Sequence, residues 1–171
     1  MGWFSKLFSN KKSNNNSSVT ERTPLNIKIG DIVTYDLVDY EVVGKIIYQD
    51  GSYKWYSYQL LEGRNTLWLA AEMDESLELG IYRSIPLQVS KPFPEKLEYE
   101  GITYYLEEKG EARVTGEGRS ENINGRTTHY ADYIDDTEEK FISLETWGSE
   151  IEVSVGHAIQ EFEVSIIAGS Q

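Results

Sequence analysis

No cysteine occurs anywhere in this chain. Disulfide scaffolds, thiolate metal centres and cysteine nucleophiles are therefore excluded at the outset. Histidine is scarce as well: with only two, a zinc site would have to take its other ligands from carboxylates. Cations are outnumbered, 16 Lys and Arg against 29 Asp and Glu, which leaves a net charge of −13. Phosphate backbones need clustered Lys and Arg, so nucleic acid is not expected as a partner. No apolar run approaches the length of a membrane-spanning helix, and beyond the first residues no helical period is sustained.

What remains is aromatic and extended. Trp55 to Leu69 holds two aromatic-rich runs separated by the turn-forming residues Glu62-Gly-Arg-Asn65, the pattern of a β-hairpin. His129 to Leu144 repeats the plan around the acidic loop Asp135–Glu139. Asp50-Gly51 and Asn124-Gly125 are further hairpin signals, and Gly44, inside a strand-like run, marks a bulge or sharp bend. In that run Val42, Ile46 and Tyr48 are expected to share one face. Toward the end, Phe162, Val164 and Ile166 are expected to share the face of a closing strand.

Short strands every eight to twelve residues predict an all-β antiparallel barrel or sandwich over residues 25–168. Pro86, Pro92 and Pro94 mark a boundary between two similar β halves, 25–85 and 95–168, packed together. A loose internal likeness pairs Tyr35 with Tyr105, Gly44 with Gly116 and Tyr58 with Tyr133.

Residues 1–24 are a different material, a basic aromatic tip followed by a polar linker. Trp3, Phe4, Leu7 and Phe8 fall on one side of a short helix, with Lys6, Lys11 and Lys12 beside or beyond them. The segment reads either as a disordered terminus or as a short-helical anchor that docks on a partner or an anionic lipid surface. Ser9 to Thr23 has nothing to bury and serves as a linker.

Candidate chemistry is sparse, and no cofactor or metal site is expected. His129 and Asp132 should point to opposite faces of their strand, and His157 reads as a turn residue. The acidic run Asp132, Asp135, Asp136, Glu138, Glu139 lacks the ligand spacing of a calcium loop and reads as a solvated turn. Trp55, Tyr58 and Trp68 read as core. Tyr53, Tyr56, Tyr130 and Tyr133 are taken as a surface binding face.

The Trp-x-x-Tyr-x-Leu run at Trp55–Leu60, Leu67-Trp68-Leu69, the Gly30-Asp31-x-Val33 and Val42-x-Gly44 segments, Trp147-Gly148 and the Gly156 turn resemble an uncharacterised bacterial family, domain of unknown function 4178. The resemblance implies no catalytic residues. It implies a setting near phage-shock-protein-A-like membrane-stress proteins, small membrane proteins and polyamine-synthase-like enzymes. Two functions are then expected from different classes. One is a non-enzymatic binding or scaffold module with a protein partner, cytoplasmic and peripheral at the inner membrane face. The other is a carboxylate-based enzyme or small-ligand-binding subunit using residues such as Asp132 and Glu145. A deep pocket holding carboxylates of raised pKa would separate the second from the first.

The tail expectation is directly testable. Residues 1–24 carry Lys6, Lys11, Lys12 and Arg22 against Glu21, while the rest of the chain is strongly acidic. Full-length protein should co-sediment with anionic vesicles through lysines contributing ~1 kcal/mol each, and a chain starting at Pro24 should stay in the supernatant. Added salt, or Ser at positions 3 and 4, should abolish the binding. Equal sedimentation of both chains, or of neither at low salt, removes the anchor.

Overall fold

A computed structural model of the chain describes residues 21–170. The tail residues Trp3, Phe4, Lys6, Leu7, Phe8, Lys11 and Lys12 lie outside that range. Eleven strands follow one another: β1 (Ile32–Tyr35), β2 (Val38–Asp50), β3 (Tyr53–Glu62), β4 (Asn65–Met73), β5 (Leu77–Ser84), β6 (Lys96–Tyr99), β7 (Ile102–Gly118), β8 (Thr127–Asp135), β9 (Lys140–Trp147), β10 (Glu150–Ile159) and β11 (Val164–Ile167). Among the described residues the only helical turns are single 3-10 turns at Glu121–Ile123 and Glu161–Glu163.

Pairing is antiparallel throughout, in the order β11-β1-β2-β3-β4-β5-β10-β9-β8-β7-β6. A further pairing of β2 with β7 joins the sheet to itself, so that β2 to β5 and β7 to β10 form a closed eight-stranded barrel. The all-β antiparallel architecture is thus what the hairpin signals predicted, and of the two forms expected, barrel or sandwich, it is the barrel. Asp50-Gly51 and Gly63-Arg64 turn β2 into β3 and β3 into β4, where positive φ at Gly51 and Gly63 suits the tight loops. The Pro86–Pro94 stretch is the strandless crossing between β5 and β6.

The two halves repeat element by element. β1 and β6 each have four residues and enter a long strand through a two-residue turn with positive φ at both positions, Asp36-Leu37 and Glu100-Gly101. Each long strand carries one bulge, between Val42 and Gly44 in β2 and between Leu106 and Glu108 in β7. The bulges fix the correspondence: Gly44 matches Glu108, not Gly116, and Tyr35 matches Tyr99, not Tyr105. Leu60 rather than Tyr58 matches Tyr133, since Val42 pairs with Leu60 and Leu106 with Tyr133.

A bulge inserts one residue and so moves the following side chains to the other face. Val42 therefore does not share a face with Ile46 and Tyr48. It packs outside the wall with Tyr58, Leu60, Leu69 and Ile81, while Ile46 and Tyr48 point inward. The outer clusters carry much of the burial. One covers the first half beneath β1 and β11. The other, with Tyr104, Ala131, Tyr133, Ile142 and Leu144, covers the second half beneath the proline crossing and β6. At roughly 1.5–3 kcal/mol for each fully buried large apolar side chain, these outer cores hold the wall in shape. Phe162 departs from expectation. It sits in the second 3-10 turn, 86% exposed, rather than on the face of β11.

Asp31 ties the two ends of the described chain to the body. Its Oδ2 accepts from Arg22 Nε at 2.7 Å and from the Lys28 amide at 2.8 Å, and its Oδ1 accepts from the Gly169 amide at 2.8 Å. Burial raises its pKa, but the Gly169 and Lys28 amides and the Arg22 guanidinium outweigh burial and hold it below the ordinary value. The stability it contributes is present above the unfolded-state pKa and lost as pH falls through the folded one. Asp31→Ala should cost about 3 kcal/mol in urea unfolding, since three donors lose their acceptor. A loss under about 1 kcal/mol would show that the ends are held by other contacts.

Candidate functional site

Inward-facing residues of alternate positions meet in one central cavity of about 120 Å³. Its wall is built as strands dictate, every second residue pointing in: Tyr48 and Asp50 from β2, Trp55 and Ser57 from β3, Trp68 and Ala70 from β4. Tyr82 and Ser84 follow from β5, Tyr130 and Asp132 from β8, Ser143 and Glu145 from β9, Glu152 and Ser154 from β10. Apolar clusters lie at its two ends. Ile46, Ala112, Val114, Ile123 and Trp147 form one, and Phe141 with Ile134 and Ala158 forms the other. Tyr53 and Glu152 line the cavity and are also exposed, so they stand where it meets solvent.

The aromatic part is ordered by stacking. Tyr48 and Trp55 lie flat on each other with centroids 5.1 Å apart and planes 1° apart, and Tyr130 meets Trp55 edge-on at 5.3 Å and 72°. The Tyr130 hydroxyl donates to Asp50 Oδ2 at 2.8 Å. That bond depends on Gly110 in the facing strand. A Cβ there would fall 2.7 Å from the Tyr130 hydroxyl and 2.9 Å from Asp50 Oδ2.

Six carboxylates line the same space, those of Asp50, Glu72, Glu108, Asp132, Glu145 and Glu152. Among the described residues no Lys, Arg or His lines it. Burial pushes the Asp132 carboxyl well above its ordinary range, and Glu108, Glu145 and Glu72 push it further, against one bond from the Ser143 hydroxyl. Asp132 and Glu145 are partly buried and line the cavity, which is where their accessible surface lies. Burial also takes Glu145 up to about 7, with Glu152 adding to the rise and a hydrogen bond from Tyr48 opposing it. Glu152 is raised by burial as well, while the Trp147 Nε1–H, 3.2 Å from its Oε2, favours its charged form.

Asp132 and Glu145, named from sequence as the carboxylates of an enzyme or ligand-binding subunit, therefore do meet in one cavity with raised pKa values. The tyrosine face does not form. Tyr130 is buried against the lumen. Tyr133 is fully buried outside the wall, its hydroxyl donating to the Pro94 carbonyl at 2.7 Å. Tyr56 stacks on Tyr58 outside the barrel at 6.3 Å, and only Tyr53 is exposed. Strand alternation and closure separate the four residues. Tyr58 is core as expected, whereas Trp55 and Trp68 are half-buried and line the cavity. His157 lies in β10 rather than in a turn, its Nε2 3.1 Å from the Tyr35 hydroxyl. His129 is exposed and 3.6 Å from Glu111. Asp135 closes the β8–β9 turn by accepting from Thr137 Oγ1 and the amides of Glu139 and Lys140.

Glu72, Glu108 and Glu152 escaped the sequence reading. Their signal was present as acid and small or aromatic residues two apart: Glu108-x-Gly110, Tyr130-x-Asp132, Ser143-x-Glu145, Glu152-x-Ser154. Nothing in sequence says that these four neighbouring strands turn those positions toward one closed lumen. Among the described residues no three of His, Asp and Glu converge as a metal site.

The raised carboxyl of Glu145 fixes the sign of a pH effect. The folded state holds that proton to about pH 7 and an unfolded chain only to the ordinary glutamate value of 4.5. The contribution of this group to stability is therefore greatest below the unfolded value and falls as pH rises from there through about 7. Glu145→Gln should recover about 1–3 kcal/mol at pH 8 and flatten, without abolishing, the decline between pH 5 and 8, since Asp132 acts in the same direction. Thermal unfolding across that range gives the measurement, and an unchanged slope would place Glu145 in contact with bulk water.

Comparison with known proteins reaches a family but no described activity. Residues 28–161 match the family described as a domain of unknown function, DUF4178. Relatives include uncharacterised proteins of Mycobacterium tuberculosis and Mycobacterium bovis, each 25% identical over 150 residues, spanning 84% of this chain and 72% of the relative. No solved structure matches the chain.

Proposed function

The chain belongs to the DUF4178 family, and we propose that in this member the barrel lumen binds a small molecule. The observation that carries this reading is the central cavity itself: it is lined by stacked aromatic rings and by carboxylates whose charged forms are penalised by burial. A concave site mixing apolar surface with a few convergent polar groups of perturbed pKa is the usual form of a ligand pocket. Volume is consistent with a compact ligand, since an engineered cavity of ~150 Å³ admits benzene. No reaction is assigned to the carboxylates. The other expectation, a scaffold at the inner membrane face associated with membrane-stress proteins, rests on the family resemblance and on the tail, and no feature of the lumen supports it.

Ser143→Phe tests the reading, because the new ring would occupy the lumen beside Asp132. Wild-type protein incubated with a bacterial small-molecule extract should retain a low-mass species in native mass spectrometry and show altered tryptophan emission from Trp55 and Trp68. The folded variant should do neither. Retention by both proteins, or by neither, would overturn the proposal.

A further inference from the structure

The two halves of the barrel furnish its lumen differently. Every strand of the first half contributes an aromatic ring: Tyr48 from β2, Trp55 and, at the rim, Tyr53 from β3, Trp68 from β4 and Tyr82 from β5. Each strand of the second half contributes one carboxylate: Glu108 from β7, Asp132 from β8, Glu145 from β9 and Glu152 from β10. The division is not complete, since Asp50 and Glu72 come from the first half and Tyr130 from the second. It runs against the repeat of the fold nonetheless. Gln59 pairs with Trp68 as Asp132 pairs with Ser143, so the position of Trp68 in one half is that of Ser143 in the other. By the same register Ala70 stands where Glu145 stands. Backbone pairing is repeated and lumen chemistry is not.

From this arrangement we infer that the lumen selects a small organic cation, with the ammonium or guanidinium group on the carboxylates of β7 to β10 and the apolar body against the rings of β2 to β5. The inference rests on the lumen being a ligand site and adds the chemistry of the ligand. Three considerations support it. Several carboxylates sharing a largely buried space repel one another, and a cation relieves that repulsion where a neutral or anionic ligand does not. Tyr and Trp faces attract cations through their quadrupoles and offer flat apolar area to the rest of the molecule. Among the described residues the acids stand one to a strand around the wall and no three of them gather on a single point, which favours a compact organic cation over a bare metal ion.

An isosteric series isolates the charge. Benzylammonium, benzyl alcohol and benzoate have closely similar size, so purified full-length protein can be titrated with each at pH 8 by calorimetry and tryptophan fluorescence. Benzylammonium should bind at least tenfold more tightly than benzyl alcohol, and benzoate should not bind. Glu145→Gln should reduce that preference severalfold. Trp68→Leu should weaken both ligands. Benzyl alcohol or benzoate binding as tightly as benzylammonium would overturn the cation assignment and leave the lumen a ligand site. Binding by none of the three would overturn the assignment and count against the lumen reading as well. A preference for benzylammonium that survives Glu145→Gln together with Asp132→Asn would place the cation elsewhere and overturn the proposal.

Discussion

Residues Gly44–Gln49 of β2 pair with Arg113–Gly118 of β7, and that seam turns an eleven-stranded sheet into a barrel with an enclosed interior. Every feature of the lumen depends on it. Without the seam, the rings of β2 and β3 and the carboxylates of β7 and β8 would line opposite margins of an open sheet. The chain secures the seam by steric means. Gly118 has φ of +61°, and a Cβ there would fall 2.4 Å from the Val43 carbonyl oxygen. At Gly116 a Cβ would meet the Ser120 carbonyl oxygen, and the Arg119 amide donates to the Val43 carbonyl at 2.9 Å. At Gly118 the close approach of β2 leaves no room for a side chain, while at Gly116 it is the turn after β7, folded back on its own strand, that requires glycine.

The bulges at Val42–Gly44 and Leu106–Glu108 determine what the closed wall encloses. Each long strand packs apolar residues outside the barrel before its bulge and turns residues toward the lumen after it. The outer cores beneath β1, β11, β6 and the proline crossing supply stability independently of the interior. The lumen is therefore released from the usual duty of a small barrel interior, which is to be filled by packed apolar side chains. It can hold Asp132 and Glu145 at a cost that the outer cores offset.

That cost is electrostatic. Burial disfavours ionised Asp132 and Glu145, and their mutual repulsion adds to it. Groups held in a costly state inside an otherwise well-packed fold are characteristic of sites kept for binding or chemistry rather than for stability. The stacked pair Tyr48 and Trp55 and the Tyr130–Asp50 hydrogen bond make the opposite side of the cavity rigid, so a ligand would meet a preformed surface.

Much of the architecture was legible in the order of the residues. Aromatic runs, Asp50-Gly51, Gly63 and the proline crossing specify strands and turns because backbone preferences are local, and the bulge at Gly44 was visible as a glycine within a strand. Closure was not legible, because the β2–β7 seam joins residues far apart in the chain through backbone groups that every residue carries. The faces were misread wherever a bulge intervened, as at Val42, since one inserted residue reverses the alternation and leaves no mark in composition. Alternation itself scattered the expected tyrosine face over a lumen, an outer core and a rim, since Tyr53 and Tyr56, like Tyr130 and Tyr133, stand three residues apart on one strand. Sequence alone named Asp132 and Glu145 as carboxylates that could work together. Only the tertiary structure put them in one cavity, because their separation from water and from each other is set by wall curvature and not by spacing along the chain.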